Sequence, residues 1–61
     1  MIIRREIARR GDWVLTEVKL IGVSGQVRSR SYEVDGPEKL VFTSRQDAET
    51  AFADQSADVA A

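Results

Sequence analysis

Two stretches of nine residues, "WVLTEVKLI" (13–21) and "QVRSRSYEV" (26–34), are rich in branched and aromatic side chains and are separated only by "GVSG". Glycines flanking so short a link supply a tight reversal, so the pair reads as an antiparallel hairpin. In the second stretch Arg28, Arg30, Tyr32 and Val34 occupy every other position and share one strand face. Register then governs everything else, because a slip of one residue sends each side chain to the opposite face.

Two registers fit. A loop of Ser24-Gly25 alone opposes Ile21 to Arg28, Lys19 to Arg30, Glu17 to Tyr32 and Leu15 to Val34. One face then carries Val14, Val18, Leu20 and Val27 with the small Ser29 and Ser31, and it is the expected seat for a helix. The other face gathers Lys19, Arg28 and Arg30 beside Trp13 and Tyr32 in the open. A loop of Val23-Ser24-Gly25 with a glycine bulge instead sets Arg28 opposite Leu20 and Arg30 opposite Val18, their stems packed along an apolar face. The first register is favoured, because it separates valines and serines from the charges.

The flanking segments complete an α+β pattern. "SRQDAETAFADQ" opens on Ser44, a good helix N-cap, and places Asp47 in the first turn where the helix dipole favours an acid. Ala48, Ala51 and Phe52 form a narrow apolar stripe suited to a helix lying close on a sheet. "KLVFT" before it reads as a short strand entered through the turn "DGPE". "IIRREIAR" fits a helix by Ile3 and Ile7 and a strand by its alternation; strand is favoured because Arg10-Gly11-Asp12 then turns into the next one. The same three residues spell the integrin-binding tripeptide, but glycine beside aspartate is ordinary turn chemistry. The expected fold is an antiparallel meander of three to four strands with one C-terminal helix packed on one face, a single domain over 1–55 with a flexible tail over 56–61. That tail ends in two alanines, as do the apolar tails that bacterial unfolding proteases recognise.

Composition narrows the function classes. At 61 residues a chain buries a modest share of its surface, and stability leans on a partner or on very regular packing. Without cysteine there are no disulfides or thiolate metal sites; without histidine the commonest general base and neutral metal ligand are missing. The acid pairs Glu33 with Asp35 and Asp47 with Glu49 have no nucleophile or phosphate loop beside them to complete a site. A non-enzymatic protein with no catalytic or metal residues and no cofactor is expected. No apolar run reaches the roughly eighteen residues of a membrane span, and the arginines after Ile3 do not suit a signal peptide, so the expected setting is the cytoplasm, away from membranes.

Net charge is −1, unevenly spread: residues 1–34 hold seven cations and four acids, residues 35–61 two cations and six acids. The expected binding surface is the sheet face bearing Lys19, Arg28, Arg30, Tyr32 and Trp13, cations on phosphate and aromatics stacking on bases, with DNA as the partner. The alternatives are a solvated face kept soluble by alternating charges, or a protein interface. The protein interface would join this chain to another protein, or to itself as a homodimer burying Trp13, Leu15, Ile21 and Val34. Trp13 opening one strand, the arginine alternation of the next, and "VFTSRQDAETAF" closing a short strand into a helix together resemble the AP2-like and integrase arm-binding DNA modules. The resemblance covers about residues 12 to 55. It implies a three-stranded sheet laid in the major groove, with Lys19, Arg28, Arg30 and Tyr32 facing DNA.

Overall fold

The alternating stretches are strands in the computed structural model, which describes residues 1–57. The order is β1 (Ile2–Arg10), β2 (Trp13–Ile21), β3 (Val27–Asp35), β4 (Lys39–Phe42) and α1 (Arg45–Ser56), and the four strands form one antiparallel sheet in sequence order. Gly11, at φ 58°, makes the two-residue turn between β1 and β2, a position where a side chain would be strained. Ser44 caps α1 as expected, its hydroxyl accepting from the Asp47 amide at 3.4 Å.

The favoured register holds along most of the hairpin: Leu15 faces Val34, Glu17 faces Tyr32 and Lys19 faces Arg30. It fails at the tip. Ile21 pairs with Val27 and not with Arg28, because β3 bulges between Ser29 and Val27, and the link widens to Gly22–Gln26, closed by Gly22 N–H donating to the Gln26 carbonyl at 2.8 Å.

The helix, however, takes the other side of the sheet from the one expected. Trp13, Leu15, Tyr32 and Val34 are buried with Ala48, and Leu40, Phe42, Ala51, Phe52, Ile7 and Ala8 pack around them. Val14, Val18 and Leu20, with Ser29 and Ser31, lie on the uncovered face. The reason is volume. Each aromatic ring buries roughly 150–250 Å², so a face with Trp13, Tyr32 and Phe42 outweighs one of valines and serines. A homodimer sealed by Trp13, Leu15 and Val34 is thereby ruled out as drawn, since this chain's own helix already covers them.

The helix packs on β2, β3 and β4 at the end of the sheet near the Gly11-Asp12 turn. Nine-residue strands span about 30 Å, and the molecule measures 46 × 17 × 16 Å. The far end of the β1–β2–β3 ribbon therefore extends beyond the helix. Ser56, expected to begin the tail, closes the helix instead, buried with its hydroxyl donating to the Phe52 carbonyl at 2.6 Å. The proposed tail motif, Ala60-Ala61, lies outside the described residues. No helix among the described residues is long and apolar enough to cross a membrane.

Candidate functional site

The register aligns the charges along the long axis. A cut between the rung Arg4–Val18–Ser31 and the rung Arg5–Glu17–Tyr32 leaves residues 1–4 and 18–31 in the far end. That end carries Arg4, Lys19, Arg28 and Arg30 and no acid, a charge of +4. The rest of the described chain carries Arg5, Arg9, Arg10, Lys39 and Arg45 against Glu6, Asp12, Glu17, Glu33, Asp35, Glu38, Asp47, Glu49 and Asp54, a charge of −4. A molecule close to neutral overall is thus strongly polar end to end.

Within the far end the cations differ in freedom. Arg4 is engaged on the uncovered face, where its guanidinium donates to Glu33 at 2.9 Å while Lys39 stands 3.4 Å from the same oxygen. Those contacts hold the Glu33 carboxyl below the usual glutamate range: the Arg4 hydrogen bond is the largest cause, burial opposes it, and the charges of Arg4 and Lys39 add to the lowering. Lys19 lies on the helix side, directly opposite Arg30, and its ammonium is 3.6 Å from Glu17. Glu17 is buried just past the end of the core, with Arg5 at 3.5 Å and the Tyr32 hydroxyl donating to it at 3.4 Å. Arg28 and Arg30 are exposed, and neither has an acid within ion-pair distance among the described residues. Like charges set opposite each other on an antiparallel pair are unfavourable, and Lys19 opposite Arg30 is such a pair, relieved on the Lys19 side by Glu17.

The bulge fixes where Arg28 goes. As the extra residue of β3 it has no rung partner, and bulges re-aim side chains in this way. Its stem folds over the loop at Gly22, where an added Cβ would come within 2.9 Å of the Arg28 Cδ.

Of the five residues expected to form the surface, Lys19 and Arg30 stand directly opposite each other on the helix side, and Arg28 lies farther toward the tip with its stem over Gly22. Trp13 and Tyr32 do not join them as exposed rings. Trp13 is 7% exposed at the opposite end of β2, and Tyr32 is 6% exposed beneath the helix. Both serve as core, and the stacking platform expected from the sequence is not formed. The sequence reading also missed what shares the far end with the cations. Met1, Ile2, Ile3, Leu20, Val23 and Val27 are exposed there, six of the seven exposed large apolar side chains among the described residues, with Val41 the seventh. Val23, at the apex of the hairpin, projects completely. Its place in a loop between two glycines was the available signal.

Among the described residues no pocket opens and no group of acids gathers as a metal site. No family model, curated protein or solved structure matches this chain.

Proposed function

We propose that the protein is a non-enzymatic binding module that holds a phosphate-bearing polyanion at its acid-free end, through Lys19, Arg28 and Arg30. Two sources present that chemistry: the backbone of a nucleic acid and the headgroups of an anionic lipid surface. The observation that carries the reading is the segregation of charge among the described residues, +4 with no acid at one end and −4 over the rest. Fields of this kind steer an anion to one end and repel it from the other. The planar guanidinium groups of Arg28 and Arg30 suit phosphate oxygens, and among the described residues no carboxylate competes for them. Arg4, held by Glu33, contributes less.

A chain of sequence pI about 5.2 should run through a cation exchanger at neutral pH. The proposal expects the opposite on phosphocellulose: retention at low salt and elution as salt rises, since phosphate contacts weaken with released counterions. Arg28→Ala/Arg30→Ala should pass unretained, while Arg45→Ala, at the other end, should elute with the wild type. Equal elution of wild type and double variant would remove the arginines from the surface.

A protein partner is the second reading, and the uncovered face favours it: Val14, Val18, Leu20, Ile2 and Val41 lie there with no element over them among the described residues. Contact through that face would survive rising salt. Sedimentation velocity at low and high salt separates the two.

A further inference from the structure

We propose that the polyanion is an anionic lipid surface, met end-on with the β2–β3 hairpin tip first. This rests on the acid-free end being the working surface, and adds a second observation that nucleic acid does not require: the exposed apolar side chains gather at that same end. A phosphate backbone in water offers nothing for a projecting Val23, or for Ile2, Ile3, Leu20 and Val27. A bilayer interface offers both a place for them and a layer of phosphates behind it.

The spacing fits. Interfacial apolar groups enter roughly 5–10 Å into the boundary between headgroups and acyl chains. Lys19 lies two residues behind Ile21 and Arg30 three behind Val27, or about 7–10 Å along the strands, while Arg28 adjoins Val27. With Val23 and Val27 in the boundary, the three cations stand at the level of the lipid phosphates. The −4 end and the helix then point into water, where the surface potential repels the acids and holds the long axis upright. The apolar tip supplies depth, and the cations supply selection for anionic lipid.

The test uses the full chain, vesicles of phosphatidylcholine, vesicles of an equal mixture of phosphatidylcholine and phosphatidylserine, and a short DNA duplex. Sedimentation with vesicles should show binding to the mixed vesicles and little to the neutral ones. Each cation near an anionic surface is worth about a fivefold gain in partitioning, so Arg28→Ala/Arg30→Ala should lose roughly 25-fold. Val23→Gln changes only a fully exposed loop residue, adds no charge and leaves the core intact. It should bind mixed vesicles about tenfold less while keeping its phosphocellulose elution. Because the chain has no cysteine, Val23→Cys also gives a uniquely labelled tip. An environment-sensitive dye there should shift to the blue on mixed vesicles, and the same dye on Glu49→Cys should not. Val23→Gln binding mixed vesicles as the wild type does, or a tip dye that stays in water, overturns the proposal. Binding to the duplex and to phosphocellulose without binding to mixed vesicles overturns the lipid assignment and leaves the polyanion reading standing. Failure on all three sinks both.

Discussion

Glu33 is buried on a face that no other element covers, because Arg4 from β1 and Lys39 from β4 reach over it from either side. Its folded-state pKa is lowered by those partners. A lowered carboxyl favours folding above its ordinary value, and that contribution disappears as pH falls through the ordinary range toward the folded value. Urea midpoints measured from neutral to acid pH should therefore fall more steeply for the wild type than for Glu33→Gln. Parallel curves would mean that the ion cluster is too well solvated to matter. With both cations about half exposed, the difference should stay within about 1 kcal/mol. Gly36 is a different kind of residue-scale constraint. Its backbone lies against the indole of Trp13, and an added Cβ would stand 2.5 Å from the ring. Gly36→Ala must push the largest core side chain aside, at about 1–3 kcal/mol; an unchanged urea midpoint would show that the turn yields instead.

At the scale of elements, α1 depends on its start. The Ser44 hydroxyl caps it and no basic residue supports its last turn. Ser44→Ala should lower stability by about 0.5–1 kcal/mol, the smaller half of the usual range because the contact is long, and thermal unfolding of the two proteins measures it. Strands, turns and this cap were legible in the sequence because each has a local cause: alternation, glycine, or a hydroxyl before a helix. The side of the sheet on which the helix settles was not. Period two assigns residues to faces without ranking the faces, and here both carry apolar side chains. The alternation of charge on Arg28 and Arg30 argued for an open face. Yet one face is apolar where the helix covers it and cationic beyond the helix's reach, and only the helix's position along the strands shows that. Lys19 opposite Arg30 was readable from the register. The place of Arg4 in the far end, and its ion pair with Glu33, required β1 to be laid along β2. The bulge at Arg28 left no mark, since nothing in "GQVRS" distinguishes a two-residue loop from a wider one.

For the molecule as a whole, the consequence of a short helix on long strands is uneven stability. The core lies between α1 and the half of the sheet nearest Gly11-Asp12, while the far end has backbone pairing but no second layer. Local opening is easiest where few apolar contacts are lost. Amides of Ile3, Lys19, Ile21 and Ser31 should therefore exchange with solvent well before those of Leu15, Glu33 and Val34, although all lie in one sheet. That gradient also reads out binding. A ligand that engages only the closed form of the far end raises protection there by RT ln(1 + [L]/Kd), about 2.7 kcal/mol at a hundredfold excess over Kd, and leaves openings confined to the core end untouched. Hydrogen exchange with a saturating polyanion should thus slow the Lys19 and Ser31 amides by about a hundredfold and flatten the gradient along each strand. Protection that rises instead at Val14 and Thr16 on β2, with the far end unchanged, would move the working surface to the uncovered face.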